Sequence, residues 1–363
     1  MTTLLMTPGP TRVPERVLAA GAMPMIHHRS EEFSGLLVST LERLRPLFGT
    51  TGDVLPVHST GRGALEAAVT NLFSPGDEVV ACCNGRFGEM WAEIAARFGL
   101  VVHRVCCDWS VSVDPHEIAA VLDAHPNTRA VTLPHSDTST GALNDVAAVA
   151  TAARRSRALV MVDAVSSLGG APFRFDDWGI DVAVTASQKC LMSSPGLAFV
   201  ALSERAWDAQ KYGRLPRSYF DFLAIRKALA RSRPETPGTT PVHLVAQVNA
   251  ALEQIEEEGL ENVHARHREM ARMTRQAVAD LGMSVQCPTL EHFAPTLTAI
   301  RAPEQISPAV IREQMKARGI LVARALGRFE PTCFRIGHMG DIRPADVRQT
   351  LDALAEIIAA GQK

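Results

Sequence analysis

The chain has 363 residues, of which 46% are hydrophobic and 21% are charged, and its formal net charge is −2. A chain of this length buries a large core and is expected to form two domains, while the near-zero charge gives no reason to expect nucleic acid or an anionic membrane as a partner. No polar-free stretch reaches the roughly 18 residues that a membrane span requires, the first residues lack a signal-peptide pattern, and the last three are no peroxisomal address, so we expect a cytoplasmic protein.

Short apolar runs alternate with helical patterns over the first 200 residues, which predicts βαβ units and a mainly parallel sheet. The predicted strands are 54–57, 78–83, 101–106, 130–133, 158–162, 181–185 and 197–201, the last of them an antiparallel neighbour. The predicted helices between them are 62–72, 87–98, 115–122 and 144–155. The sequence therefore predicts an α/β domain.

The rest of the chain lacks this regular alternation of strands and helices. An irregular segment at 216–241 with one short helix is followed by predicted helices at 242–257 and 261–281, strands near 284–285, 296–300, 320–322 and 333–336, and a final helix with apolar residues at 347, 351, 354 and 358. This pattern predicts a smaller α+β domain at 261–363, after a large domain at 1–260 that includes an N-terminal arm.

An acidic and a basic side chain follow two of the predicted buried strands. Asp163 ends the first of them, and Lys189 comes shortly after the second. The carboxyl ends of parallel strands meet at one edge of the sheet, where α/β proteins hold ligands. An amine and a carboxylate at that edge are the pair that pyridoxal 5′-phosphate requires, the amine for covalent attachment and the carboxylate to keep the pyridine nitrogen protonated.

A turn rich in glycine and hydroxyl groups follows the strand at 54–57. Gly61 and Gly63 let the backbone approach a ligand closely, while Thr60 offers a hydroxyl and Arg62 a positive charge. Free N–H groups at the start of a helix attract an anion such as phosphate. A plain helix cap explains the same residues, so both interpretations remain open here.

Three further segments place polar or aromatic groups near the same edge. His135-Ser136-Asp137-Thr138 follows one strand, Asn84-Gly85-Arg86-Phe87 follows another, and Arg335 lies within an apolar run. The aromatic ring is able to stack on a heterocycle, and the buried arginine to bind a carboxylate. The alternatives are an ordinary turn, a core phenylalanine and a structural salt bridge.

The cysteine and histidine patterns favour a reduced protein without a metal site. The seven cysteines contain no Cys-x-x-Cys pair, and Cys82-Cys83 and Cys106-Cys107 are expected to pack as small hydrophobes. His27-His28 and His264-x-x-His267 lack partner ligands at zinc spacing. We expect His264 and His267 to lie on the solvated face of a helix.

Taken together, these residues resemble the class V group of fold-type I pyridoxal-phosphate enzymes, above all the alanine–glyoxylate and serine–glyoxylate (or serine–pyruvate) aminotransferases. The segments that carry the resemblance are Thr7-Pro8-Gly9-Pro10-Thr11, His28-Arg29-Ser30-x-x-Phe33, Ala64-Leu65-Glu66-Ala67, Ser139-Thr140-Gly141, Val162-Asp163-Ala164-Val165-Ser166-Ser167-Leu168-Gly169-Gly170, Ser187-Gln188-Lys189-Cys190-Leu191 and Arg335-Ile336-Gly337. They span nearly the whole chain, and those around Asp163 and Lys189 are the most specific.

The resemblance implies a large domain with a mainly parallel seven-stranded sheet, and a homodimer with its active site at the interface. It implies that Lys189 holds pyridoxal 5′-phosphate covalently and moves the substrate proton, and that Asp163 pairs with the pyridine nitrogen. The other implied contacts are Phe87 and Val165 on the two ring faces, Thr138 near the phenolic oxygen, Thr60, Gly61, Arg62 and Gln188 at the phosphate together with Thr239 of the partner subunit, and Arg335 at the substrate carboxylate.

One position departs from the pattern of the relatives, which often place a tyrosine three residues before the threonine that corresponds to Thr239. This chain has Thr236 there, so either the phosphate contacts are fewer or the loop runs differently. Cys190 follows the lysine and is expected to be buried, whereas the resemblance implies that a desulfurase uses a mobile cysteine far from the lysine.

The leading hypothesis is an aminotransferase that moves an amino group from alanine or serine to glyoxylate or pyruvate. The alternatives are a carbon–sulfur or carbon–carbon lyase, a cofactor-binding regulator or scaffold, and a transaminase for 2-aminoethylphosphonate or ureidoglycine.

Overall fold

The computed structural model of the protein describes residues 3–289 and 291–361. Within these residues, no helix is long and apolar enough to cross a membrane. The outermost residues, 1–2 and 362–363, on which the expectations about targeting signals partly rest, lie outside the described residues.

The strands of the described chain form three sheets. In chain order they are β1 (Leu4–Met6), β2 (Asp53–Val57), β3 (Glu78–Cys82), β4 (Val101–Val105), β5 (Thr128–Pro134), β6 (Ser136–Asp137), β7 (Ala142–Leu143), β8 (Leu159–Asp163), β9 (Val182–Ala186), β10 (Ala198–Leu202), β11 (Ser284–Val285), β12 (Leu297–Arg301), β13 (Ile320–Arg324) and β14 (Cys333–Gly337). The large sheet has seven strands in the order β2-β10-β9-β8-β5-β3-β4, the smaller sheet has five in the order β1-β13-β14-β12-β11, and β6 pairs with β7.

The α-helices of the described chain cover and connect these sheets. They are α1 (Glu15–Gly21), α2 (Glu31–Phe48), α3 (Gly61–Leu72), α4 (Arg86–Arg97), α5 (Pro115–Ala124), α6 (Val146–Ala153), α7 (Phe175–Trp178), α8 (Glu204–Gln210), α9 (Phe222–Leu229), α10 (Val242–Glu258), α11 (Leu260–Asp280), α12 (Pro308–Ala317) and α13 (Pro344–Gly361). All seven strands predicted before residue 202 are present within two residues of their expected bounds, and the four predicted strands of the second part are present as well.

Six strands of the large sheet run in one direction. Neighbouring pairs from β9 through β8, β5 and β3 to β4 are parallel, and β10 is antiparallel to both β9 and β2. As a result, β2 shares the direction of the parallel set. The segments that follow β2, β3, β5, β8 and β9 therefore leave the sheet at the same edge, which is where the predicted site residues stand.

Apolar residues on both faces explain why this sheet is buried. Every residue of β8, β9 and β10 is buried, as expected for a sheet that helices cover on both sides. One core cluster contains Phe33, Leu37 and Leu44 of α2, and the other contains Leu65 and Leu72 of α3. The sheet edge is thus supported by a rigid, packed layer.

The N-terminal arm contributes a strand to the smaller sheet, because β1 pairs in parallel with β13. A separate core there includes Met6, Ile300, Phe334 and Leu354. The division into domains at residue 260 remains a prediction.

The expectation that His264 and His267 lie on a solvated face is wrong, since both are buried. The imidazole of His267 is satisfied at both nitrogens: Nδ1 lies 2.7 Å from the Val263 carbonyl oxygen, and Nε2 accepts the N–H of Gly340 at 3.1 Å. These contacts make a polar ring tolerable in the core, and burial lowers the pKa of His267 to about 3.

Candidate active site

The loop after β9 carries Lys189, which is partly buried at the carboxyl edge of the large sheet. Its amine donates a hydrogen bond to the backbone carbonyl of Pro8. Burial, reinforced by the positive charge of Arg335, lowers the pKa of Lys189 to about 8, against an opposing effect of Asp163. The neutral amine, which is the nucleophilic form, is therefore accessible close to neutral pH.

Gly9 is the residue that lets the N-terminal arm pass this lysine. A Cβ atom at Gly9 would lie 2.5 Å from Cδ and 2.6 Å from Nζ of Lys189, and its φ is +104°. No periodicity in the sequence indicated this contact, because residues 9 and 189 are distant along the chain. Only the resemblance marked the segment around Gly9.

Asp163 ends β8 and is 5% exposed. Burial raises the pKa of its carboxyl to about 7, and the N–H of Val165, which donates to Oδ1 at 2.9 Å, opposes the rise. None of the ion pairs among the described residues includes Asp163 or Lys189. The acid and the amine therefore influence each other's titration without neutralising each other in direct contact.

Asp137 is a second buried acid, whose role the sequence did not reveal. It accepts the N–H groups of Phe87 at 2.8 Å and Gly88 at 3.3 Å, and the hydroxyl of Ser139 at 2.6 Å. Burial raises the pKa of Asp137 against these hydrogen bonds. A carboxylate at the first turn of α4 satisfies free N–H groups there and fixes the segment that carries Phe87. The ring of Phe87 is partly buried.

The turn after β2 has the predicted helix-start geometry. Thr60 stands at the N-cap position of α3, is exposed, and makes no side-chain capping hydrogen bond. Gly61 packs so tightly that a Cβ atom there would lie 2.6 Å from Cγ2 of Val165. Arg62 is exposed and takes part in no ion pair among the described residues. Gln188 has a buried side-chain amide oxygen without a hydrogen-bond partner in the described chain.

Arg335 of β14 reaches the site from the smaller sheet. It is 7% exposed, its Nη1 donates to the carbonyl of Thr138 and its Nε to the carbonyl of Arg324, each at 2.8 Å. Burial lowers the pKa of Arg335 to about 10, and Asp137 opposes that shift. No carboxylate within residues 3–289 and 291–361 forms an ion pair with it. The structural salt bridge considered from the sequence is therefore not formed by the described residues.

The loop that carries Thr239 lies at the surface of the protein. Thr239 is exposed, beside a surface cavity that His58 and Tyr219 also line. Thr236 is buried, its hydroxyl donates to the Gly238 carbonyl at 2.9 Å, and it contacts the Thr240 hydroxyl. Thr236 therefore closes its own turn, which explains how the loop accommodates the departure from the relatives.

The chain is similar to known proteins over nearly its whole length. The family model described as aminotransferase class-V matches residues 4–338. The chain is 38% identical to the soluble hydrogenase small subunit of Synechococcus sp., aligning 98% of this chain with 93% of that protein, and 39% identical to the L-aspartate–glyoxylate aminotransferase of Paracoccus denitrificans, aligning 97% with 90%. The crystal structure of alanine–glyoxylate aminotransferase from Nostoc sp. superposes with a TM-score of 0.94 at 29% identity, covering 99% of this chain and 96% of that one.

The match extends over all three sheets and includes every predicted site residue. The structures that superpose on this chain include fold-type I aminotransferases, and this chain itself has a mainly parallel seven-stranded large sheet. The chain belongs to the class V aminotransferase family.

Proposed function

We propose that this protein is a pyridoxal 5′-phosphate-dependent aminotransferase that moves an amino group from a small L-amino acid, alanine or serine, to glyoxylate or pyruvate. One observation carries the proposal. A buried acid, an amine of lowered pKa and a buried arginine converge at one sheet edge without pairing with one another. Buried charges are rarely left unpaired unless a ligand completes them.

The residues present fit the cofactor. Thr60 and Arg62 offer a hydroxyl and a charge at the start of a twelve-residue helix, and neither is engaged by a capping hydrogen bond or ion pair among the described residues. Gly61 permits close backbone approach, and a half-turn of the Gln188 side-chain amide would place its NH2 donors where its unpartnered buried oxygen now lies. Together they form a cradle for a phosphate group.

When bound, pyridoxal phosphate supplies an electron sink for the carbanion that forms when the substrate Cα loses its proton. Lys189 would hold it and then carry that proton between two carbon atoms as base and acid. Asp163 would lie opposite the protonated ring nitrogen as a carboxylate. The positive charge of that nitrogen would lower the pKa of Asp163, which burial raises. Phe87 and Val165 would pack on the ring faces, and Thr138 would hydrogen-bond near its phenolic oxygen.

Arg335 would bind the substrate carboxylate by two parallel hydrogen bonds from its planar guanidinium group.

We further propose that the protein works in the cytoplasm as a homodimer, in which Thr239 reaches the phosphate site of the partner subunit. The exposure of Thr239 supports this assignment.

Cys190, the residue after Lys189, is unsuited to serve as the nucleophile of a desulfurase. Cys190 is 2% exposed, and burial raises the pKa of its thiol to about 12. A buried neutral thiol is a poor nucleophile. Transamination of ureidoglycine or 2-aminoethylphosphonate uses the same lysine and acid, so the amino donor has to be measured.

A substrate panel tests the proposal. Steady-state rates are measured for alanine, serine, aspartate, ureidoglycine and 2-aminoethylphosphonate, each with glyoxylate and with pyruvate. We expect the highest kcat/KM for alanine or serine with one of these two acceptors. A protein that releases sulfide, or releases alanine from a single substrate without an acceptor, would belong to the lyase alternative.

Replacing Arg335 with lysine is expected to lower kcat/KM for amino acids about 100-fold, because a point charge cannot reproduce a two-point contact with a carboxylate. The control is Arg324→Lys on the adjacent strand, where the side chain is exposed and pairs with Glu330. Equal rates for the two variants would show that Arg335 does not bind the substrate.

Replacing Gly9 with alanine is expected to reduce kcat about tenfold or more, because the new Cβ atom occupies the space of the Lys189 side chain. Gly76→Ala is the matched control: Gly76 also has a positive φ, +85°, but a Cβ atom there meets nothing within 4 Å. Both variants should lose comparable stability from backbone strain. If Gly9→Ala retains the activity of Gly76→Ala, the close packing around the lysine has no functional importance.

The lowered pKa of Lys189 gives an expectation for cofactor uptake. Only the neutral amine attacks an aldehyde, so the rate at which cofactor-free protein takes up pyridoxal phosphate should rise with pH and level off above about pH 8. A free lysine analogue should show a rate that still rises toward its ordinary pKa near 10.4. A protein profile that follows the free analogue would contradict the burial effect on this amine.

A further inference from the structure

Three potential metal ligands meet near the amino-terminal end of β3, at the opposite end of the parallel strands from Lys189. Glu78 is the first residue of β3, His103 lies in β4, and His125 follows the last residue of α5. Nε2 of His103 lies 2.8 Å and Nδ1 of His125 lies 3.8 Å from Oε2 of Glu78, and the three ligand atoms all lie within 4.8 Å of one another. The two imidazole rings stack with their centroids 3.6 Å apart.

The strand register explains why these side chains share one face. Glu78 pairs with Val101, and Val80 pairs with His103, so Glu78 and His103 are diagonal neighbours on adjacent parallel strands. On the other side of β3, Glu78 pairs with Thr128. The Thr128 hydroxyl is buried and has no hydrogen-bond partner within the described parts of the chain.

The chemistry of the three ligands selects the kind of ion. Two imidazoles and one carboxylate match the ligand set of zinc sites that keep an open position for water, whereas magnesium and calcium prefer oxygen ligands alone. The side chains are partly exposed, with 20% of His103, 28% of Glu78 and 40% of His125 accessible. An ion is therefore able to enter from solvent and to keep a water ligand.

We propose that Glu78, His103 and His125 bind a zinc-type divalent cation. The ion would join β3, the edge strand β4 and the C-terminal end of α5. Among the described strands, β4 pairs only with β3. A bound ion would therefore add a second attachment for this edge strand. This site could not be predicted from the sequence, because its residues are separated by 25 and 22 positions and form no known spacing motif.

Zinc binding to the cofactor-loaded enzyme tests the proposal. Isothermal titration with Zn²⁺ should show one equivalent in the unchanged protein that weakens about tenfold or more in His103→Gln and in His125→Gln. His116→Gln is the matched control, because His116 is an exposed histidine of α5, the helix that His125 follows. Saturating zinc should raise Tm by about 2 °C or more in the unchanged protein and in the control, but not in the double variant.

Cobalt distinguishes this site from the cysteines. Co²⁺ bound by imidazole and carboxylate lacks the intense thiolate charge-transfer absorption that a cysteine site produces. Uptake of equal zinc by the unchanged protein and the double variant, or a thiolate spectrum, would overturn the proposal. If the variants fail to fold, anomalous diffraction from zinc-soaked crystals of the unchanged protein decides: a peak between His103 and His125 supports the site, and its absence contradicts it.

Discussion

Replacing Lys189 with alanine is expected to lower kcat by a factor of about 10⁴ or more, because both covalent attachment of the cofactor and proton transfer depend on this amine. The variant should also lose the visible absorbance of the lysine-bound cofactor. Its fold should persist, since the side chain is partly buried and donates one hydrogen bond, to the Pro8 carbonyl.

The control for this change is Lys211→Ala. Lys211 is largely exposed and pairs with Asp208 on the surface, where an ion pair contributes little to stability. Rates are compared at saturating amino donor and acceptor, with circular dichroism to verify folding. Substantial turnover by a folded Lys189→Ala variant would refute the assignment of Lys189.

Replacing Asp163 with asparagine is expected to lower kcat by about 10²–10³-fold. The amide has almost the same shape but no charge, so it cannot stabilise a protonated ring nitrogen, and the cofactor becomes a weaker electron sink. Because burial already raises the pKa of Asp163 to about 7, losing the negative charge should not harm folding. The loss should therefore appear in kcat while Tm is maintained.

Asp181→Asn provides a matched comparison. Asp181 is also a buried aspartate of raised pKa, next to the same sheet, but it lies just before β9 rather than at the end of β8, and it pairs with Arg205. Its replacement should lower stability, because an amide has one oxygen where the two carboxylate oxygens accept hydrogen bonds from the Val160 N–H and the Ser203 hydroxyl, and it should leave kcat unchanged. If both variants lose activity only in proportion to their stability, Asp163 has no special role in the chemistry.

The order of elements and the position of the central site follow from local patterns in the sequence. Continuous apolar runs predicted β8 and β9, and the polar residues that end them marked the edge where Asp163 and Lys189 stand. These patterns are local, since a buried parallel strand requires apolar residues on both faces.

Contacts between distant segments could not be read in this way. The packing of Gly9 against Lys189, the bond from Arg335 to Thr138 and the grouping of Glu78 with two histidines all depend on tertiary structure. The burial of His264 and His267 could not be predicted for a related reason, because both lie on the face of α11 that packs inward, where backbone groups satisfy the ring of His267.

The role of Asp137 could not be predicted from the sequence, although its segment follows a predicted strand. An acid after a strand is compatible with many turns, and only the structure shows that it accepts the N–H groups at the start of α4. By accepting the backbone N–H of Phe87, Asp137 fixes the main chain that carries this aromatic ring.

Transfer of a labelled amino group distinguishes an aminotransferase from the alternative enzymes. The cofactor-loaded enzyme is mixed with ¹⁵N-alanine or ¹⁵N-serine alone, freed of unreacted donor, and then mixed with glyoxylate or pyruvate. We expect about one equivalent of keto acid per active site in the first step and the label in glycine or alanine in the second, as a ping-pong mechanism requires. Label recovered as ammonia, or no label on either acceptor, would contradict the assignment of this protein as an aminotransferase for these substrates.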